Sequence, residues 1–272
     1  MRGESSKVSV RTNPCFAGDR YETPDDRGRD LLDRLGLGSS AWFYTLLLRI
    51  VLTSRARALG GSYDDEAWVE SSIAVMRALE RCGARFHIEG IDHIRRLEEP
   101  VVFVSNHMST VETMVFPCLI VPFRPVTFVV KKDLTTMPLF GPIMRSRDPV
   151  TVGRENPRED MQTVLGEGQR RLEDGVSVIL FPQSTRRVDL DPEHFNSLGV
   201  KLARRAGVKV LPVAIKTDFW RAGRLVKDLG PLDRSQPIHM RFGAPMAIEG
   251  PGRAEHQAIV SFIQENLARW QG

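Results

Sequence analysis

The spacing of apolar and polar residues changes character near residue 83. Between 41 and 59 apolar side chains cover most of a helical surface, interrupted at Thr45, Arg49, Thr53 and Arg57, which recur every fourth residue as one polar stripe. The apolar stretch from 41 to 52 is about 12 residues long with Arg49 inside it, against the roughly 20 that a membrane span needs. Trp42, Phe43 and Tyr44 open the segment, and such rings favour the headgroup level of a bilayer. The pattern predicts a helix lying in the membrane plane, with packing on its own domain as the competing expectation. A second helix over 64–81 is expected to return antiparallel to it. Residues 1–28 are polar and broken by Pro and Gly, so 1–40 is expected to be a loosely ordered leader.

After Cys82-Gly83 short apolar runs alternate with helical periodicity. Strands are predicted at 85–89, 100–105, 125–131, 149–153, 176–181, 208–215 and 238–243, and helices at 110–121, 156–173, 195–206 and 253–270. The second of these helices, 156–173, carries its own punctuation: Asn156 to cap, Pro157 in the first turn and Gly175 just beyond the end. Such alternation predicts an α/β fold, a largely parallel sheet of about seven strands covered by helices. The expected organisation is a leader (1–40), an N-terminal two-helix membrane-docking element (41–82) and an αβ domain (83–272). The run from Thr113 to Phe123 is core by default, with the wall of an acyl-chain groove as the alternative.

Composition narrows the class. With 42% hydrophobic residues in 272, a substantial core is within reach. Cys15, Cys82 and Cys118 lie far apart, are odd in number and show no metal-ligand spacing, which points to a reducing compartment and away from a disulfide framework or zinc site. No apolar segment of a secretory signal occurs in the first twenty residues. The net charge is only +4, yet residues 201–227 hold eight basic side chains against Asp218 alone. A basic face attracts nucleic acid, anionic lipid or an acidic carrier protein. No finger, ribonucleoprotein or basic-zipper pattern is present, so no nucleic acid partner is expected.

The chemistry concentrates in four blocks: Asn106 to Glu112, Val152 to Asn156, Phe181 to Arg186, and Leu211 to Val213. A histidine with an acid five positions later is weak evidence, since His87 with Asp92 and His93 with Glu98 show the same spacing. His107 differs in its setting, between the apolar run 100–104 and a predicted helix. Open α/β sheets place their ligands at the C-terminal ends of strands. A histidine titrates near neutral pH and can accept a hydroxyl proton during attack on a thioester, and a carboxylate such as Glu112 would orient the ring. Ser109-Thr110-Val111-Glu112 also reads as a capping box, with Glu112 at the third helical position. Arg154 and Arg186 each follow a predicted strand, and guanidinium forks with a lysine, Lys131 at the end of strand 125–131, nearly match a phosphomonoester dianion. Ser109 or Ser184 could instead serve as the nucleophile of a hydrolase, although no G-x-S-x-G elbow occurs. Glycine-rich nucleotide loops are also missing, which disfavours dinucleotides and nucleoside triphosphates.

Taken jointly and in order, these blocks resemble the PlsC-like glycerolipid acyltransferase family, whose hallmarks are N-H-x4-D, a later strand ending in arginine, F-P-E-G-T-R and a hydrophobic-Pro-Val-Ala strand. Val129-Val130-Lys131-Lys132-Asp133-Leu134 is similar to the family's lysine segment, with Pro138-Leu139-Phe140-Gly141 after it, so the likeness spans about 80–250. The resemblance implies His107 as general base with Glu112, and Lys131, Thr185 and Arg186 holding an acceptor phosphate with help from Arg154. It places Asn106, Pro182, Gln183 and Ser184 in supporting positions. It further implies a membrane-associated O-acyltransferase at the cytoplasmic face, peripheral or monotopic. Its donor would be acyl-CoA or acyl-carrier protein, its acceptor lysophosphatidate-like, its surface anionic lipid, with no metal or other cofactor. Two departures stand out: Glu112 replaces the usual aspartate, and Gln183-Ser184 replace Glu-Gly. These leave open another lysolipid or a hydroxylated aminolipid as acceptor. A non-catalytic lipid-binding protein is the third alternative.

Overall fold

The computed structural model describes residues 17–36, 40–183, 185–223 and 226–271. Eight strands form one mixed sheet: β1 (Arg20–Glu22), β2 (Phe86–Glu89), β3 (Val101–Ser105), β4 (Val126–Lys131), β5 (Val150–Val152), β6 (Ser177–Leu180), β7 (Lys209–Lys216) and β8 (Ile238–Phe242). Their order is β1-β2-β8-β7-β3-β6-β4-β5. All neighbours pair in parallel except β1 with β2 and β7 with β8. β3 lies between β7 and β6, and all five of its residues are buried. Covering both faces is what makes its sequence apolar throughout rather than alternating. Pro212 sits inside β7, but β8 ends opposite Val213, so the proline falls where that ladder has already stopped.

The seven expected strands are present and β1 is the eighth. β1 belongs to the segment expected to be a loose leader, and buried polar groups attach it. Glu80, 1% exposed, accepts hydrogen bonds from the Tyr21 hydroxyl (2.6 Å), the Thr23 hydroxyl (2.8 Å) and Arg77 (3.0 Å). Asp33 pairs with Arg29 and with Arg234 in the same way.

Among the described residues ten α-helices cover the sheet. The longer ones are α2 (Ala41–Leu59), α3 (Asp65–Arg81), α5 (Val111–Ile120), α8 (Pro157–Glu173), α9 (Leu198–Ala206) and α10 (Arg253–Gln271). Short turns α1 (Leu31–Leu35), α4 (Ile91–Arg95), α6 (Lys132–Thr136) and α7 (Gly141–Arg145) were not expected. The Asn156 side chain caps α8, accepting from the amides of Arg158 and Glu159. Gly90 turns β2 into α4 with φ +81°; a Cβ there would lie 2.1 Å from the Phe242 carbonyl oxygen, so only glycine fits.

The aromatic trio of α2 does not meet the expectation of an outward, headgroup-level position. Phe43 is fully buried with its ring edge-on to Trp220 at 4.8 Å. The Tyr44 hydroxyl accepts from Trp220 Nε1 (3.0 Å) and donates to the Gly230 carbonyl, while Trp42 Nε1 donates to Asp30 (2.8 Å). Phe43, Leu47 and Val51 join the same core cluster as the sheet, so the inward stripe of α2 is a packing surface. A two-helix membrane-docking element is therefore not confirmed. No helix among the described residues is long and apolar enough to cross a membrane. The basic stretch is also not one face: Lys216 is buried, pairing with Asp218 at 2.9 Å and Gln236 at 2.6 Å. From Val115 to Ile120, α5 is wholly buried and packs on α3, which makes it core and not a groove wall.

Candidate active site

Successive crossovers leave the sheet centre in opposite directions. After β3 the chain crosses through α5 to β4 on one side, and after β6 it crosses through α9 to β7 on the other. Such a reversal opens a crevice at the C-terminal ends of the two strands. Asn106 and His107 follow β3 directly, and Phe181 to Arg186 follow β6.

Asn106 fixes the end of β3. Its side-chain amide donates to the Ile215 carbonyl (2.8 Å) and its oxygen accepts from the Ile215 amide (2.9 Å), continuing the β3–β7 pairing beyond the backbone ladder. His107 is then held at both main-chain groups: its N–H donates to Gln183 Oε1 at 2.6 Å and its carbonyl accepts from the Arg187 N–H at 2.9 Å. Its ring lies on the Phe181 ring, centroids 4.4 Å apart at 24°. The imidazole keeps 16% side-chain exposure.

Glu112 is fully buried, and its Oε1 lies 2.8 Å from His107 Nδ1. The same oxygen accepts from the amides of Met108 (2.7 Å) and Ser109 (2.9 Å). Oε2 receives the hydroxyls of Thr217 (2.8 Å) and Ser109 (3.0 Å). Burial by itself would raise the pKa of this carboxyl. The hydrogen bond and charge of His107, with the backbone amides, outweigh burial and hold it below the ordinary carboxylate value. Glu112 is thus ionised and can only accept, so Nδ1 is the ring nitrogen that donates to it and Nε2 is the one turned away from the carboxylate. The capping box is shifted by one: Thr110 is the N-cap and makes no side-chain cap bond, so Glu112 is the second residue of α5. One carboxylate serves both the approach to the helix and the histidine.

Arg186 reaches the start of the same helix, α5. Its guanidinium donates to Thr110 Oγ1 (2.5 Å) and to Asp228 Oδ1 (2.7 Å), and Thr110 donates to the same carboxylate (2.9 Å). A cleft of about 310 Å³ is lined by Met108, Arg186, Arg187, Trp220 and Arg221, among others. Pro182 is buried and its carbonyl accepts from Asn196. Thr185 is half-buried beside Arg186, and Ser184 lies outside the described residues. The Gln183 side-chain nitrogen is buried with no hydrogen-bond partner among the described residues.

The other two expected cations stand further along the same sheet edge. Lys131 ends β4, two strands from β3, and pairs with Asp133. Arg154 follows β5, three strands away, at φ +66°. Its amide and that of Gly153 donate to the Asp160 carboxylate on α8, both at 2.9 Å, which supports that left-handed turn. Gln183, His107 and Glu112 are therefore linked directly, with Asn106 fixing the residue before His107 and Arg186 reaching Thr110 at the start of α5, while Lys131 and Arg154 lie further along the edge. Sequence reasoning missed Thr217 and Asp228 as members of the site, and took Ser109 only for a nucleophile or a cap.

A family model described as Acyltransferase matches residues 85–216, the segment that holds all of these groups except Thr217 and Asp228. A 1-acyl-sn-glycerol-3-phosphate acyltransferase of Pseudomonas aeruginosa is 29% identical over 248 residues, 88% of this chain and 90% of that protein. One of the same description from Chlamydomonas reinhardtii is 25% identical over 186 residues, 64% of this chain and 53% of its own. In three dimensions the chain is similar to the crystal structure of the 1-acyl-sn-glycerophosphate acyltransferase PlsC from Thermotoga maritima. The TM-score is 0.64 at 17% identity, covering 88% of this chain and 98% of the other.

Proposed function

The chain belongs to the acyltransferase family and is an enzyme of the 1-acylglycerol-3-phosphate acyltransferase type, and from that premise we propose that it moves a fatty acyl group from a thioester donor to the free hydroxyl of a lysophosphatidate-like lipid, in phospholipid synthesis. The observation that carries this reading is the His107 Nδ1–Glu112 contact of 2.8 Å, with the Arg186 guanidinium bonded to Thr110 three positions along from His107.

His107 Nε2 takes the proton of the acceptor hydroxyl as its oxygen attacks the thioester carbonyl carbon. Glu112 stabilises the imidazolium that forms, and its hydrogen bond keeps the ring from turning. Collapse of the tetrahedral adduct breaks the carbon–sulfur bond, and the imidazolium proton passes to the departing thiolate. An ester and a free thiol result, with His107 neutral again. Arg186, with Thr185 and the cations Lys131 and Arg154 along the same edge, would hold the acceptor's phosphate. The donor is acyl-CoA or an acyl-carrier protein.

We further place the enzyme on anionic lipid at the cytoplasmic face of a membrane, as a peripheral or monotopic protein. In support, Leu48, Leu52 and Leu59 form an exposed row on the outer side of α2, with exposed Val226 and Leu229 flanking Asp228. A second reading, another lysolipid or a hydroxylated aminolipid as acceptor, is favoured by Gln183, whose buried amide nitrogen is a donor where the family's glutamate could only accept. Incubating the purified protein with mixed lysolipids and both donor types, followed by mass spectrometry, tests the proposal. Conversion of lysophosphatidate to phosphatidate supports the first reading, acylation of a different lysolipid alone supports the second, and no acyl transfer to any acceptor contradicts both.

A further inference from the structure

We propose that Thr217 is a positioning residue of the acyl transfer, supplying the second anchor that lets a glutamate do the work of the family's aspartate. The inference rests on the His107–Glu112 chemistry proposed above.

Glutamate carries one more rotatable methylene than aspartate, so hydrogen bonds to one oxygen leave more ways for the carboxylate to tilt. Here Oε1 already meets three donors, the His107 ring nitrogen and the amides of Met108 and Ser109. The carboxylate plane is then set by what holds Oε2. Its partners are the hydroxyls of Thr217 at 2.8 Å and Ser109 at 3.0 Å. Ser109 Oγ also lies 2.9 Å from Thr217 Oγ1 and accepts from the Val111 amide at 3.0 Å. With one proton to give, Ser109 can serve either Thr217 or Glu112 but not both. Thr217 receives the Ser109 hydroxyl and does not donate to it, so among the described residues Oε2 is the acceptor for its own proton.

Thr217 is itself held rigidly. It is fully buried, it directly follows β7, its amide donates to the Met108 sulfur at 3.1 Å, and its β-branched side chain has few rotamers. Two residues earlier, Ile215 takes the clamp from Asn106. The end of β7 thus touches the active-site turn on both sides of His107, at Asn106 before it and at Met108, Ser109 and Glu112 after it. A shift of the carboxylate relative to the imidazole would have to break the Thr217 contact first.

The test compares Thr217→Val, Thr217→Ser and Glu112→Gln, singly and with Thr217→Val in the Glu112→Gln background. Losing a hydroxyl bonded to a buried carboxylate should lower kcat about 10- to 100-fold in Thr217→Val. KM stays near the wild-type value, and Thr217→Ser restores most of kcat. Within the Glu112→Gln background the valine substitution should cause little further loss, because the group it acts through has changed. The proton resonance of His107 Nδ1–H, read by nitrogen-edited NMR, should broaden or shift in Thr217→Val without any substrate present. Thr217→Cys, which fills the space with a weak donor, keeps the comparison open if the valine variant does not fold. Equal kcat for Val and Ser variants, an effect on KM alone, or an undiminished loss in the Glu112→Gln background would overturn the role. A wild-type protein that transfers no acyl group would instead overturn the function, and the NMR measurement would still stand as a test of the contact.

Discussion

Glu112→Gln separates charge from shape at the centre of this site. The amide oxygen of glutamine can take the place of Oε1, where three donors converge, and its nitrogen then faces the hydroxyls of Ser109 and Thr217, both able to rotate and accept. The fold should survive the exchange. What disappears is a full negative charge in a buried position about 4 Å from the centre of an imidazolium, worth up to about 4 kcal/mol at an effective dielectric near 20, or roughly a thousandfold in rate. We expect kcat to fall by about 10²–10³ with KM little changed, because the charge matters only once the ring is protonated. Glu112→Ala should differ in kind. It strands the donors around an emptied buried site and should cost about 3–5 kcal/mol of stability, as breaking a buried ion pair from one side does. A pH dependence follows as well. The carboxyl pKa of Glu112 is lower in the folded protein than in the unfolded chain, so its contribution to stability is fully present above the ordinary carboxylate range near 4.3. That contribution is lost as pH falls through the lower, folded value. Glu112→Gln should remove this part of the acid limb in thermal-shift scans run from neutral to acid pH. A kcat near wild type in a well-folded Glu112→Gln would refute the electrostatic role of the carboxylate.

Asp228 pairs with Arg186, and the acceptor phosphate proposed to bind there would have to displace it, so Asp228→Asn should lower KM for a phosphate-bearing acceptor about two- to fivefold, the modest value that suits a half-exposed ion pair. Steady-state kinetics check it, and an unchanged or higher KM would remove Asp228 from the anion site. Gly90→Ala places a Cβ 2.1 Å from the Phe242 carbonyl oxygen at a positive φ, and should cost about 3 kcal/mol or more, a fall in melting temperature of about 6–12 °C. A calorimetric scan matching wild type would contradict that geometry.

What could be read from the chain was governed by how local its causes are. β3 announces itself because a strand covered on both faces must be apolar along its whole length, and α8 because Asn156, Pro157 and Gly175 act on adjacent backbone. The site blocks were legible as an ordered set, and Gln183, His107 and Glu112 do touch, with Arg186 reaching Thr110 in the same turn. β1 was not legible, since Arg20-Tyr21-Glu22 has no apolar run and is held by Glu80, nearly sixty positions away. Trp42, Phe43 and Tyr44 have the composition of a membrane belt, and only the position of Trp220 turns two of them inward. Thr217 left no local trace at all: a lone threonine after a strand gains meaning only when folding brings it 105 positions back to Glu112. Lys131 stands at the sheet edge as expected, and its pairing with the neighbouring Asp133 is a local contact that the spacing alone did not announce.

The measurement closest to the central claim is a single-turnover acyl-transfer assay on His107→Ala, with circular dichroism to show that the fold persists. The ring has partial exposure and, among the described residues, one polar contact, to Glu112, so its removal should leave the sheet intact. Loss of detectable ester formation alongside a wild-type spectrum is the predicted result. Turnover at a substantial fraction of the wild-type rate would contradict His107 as the base.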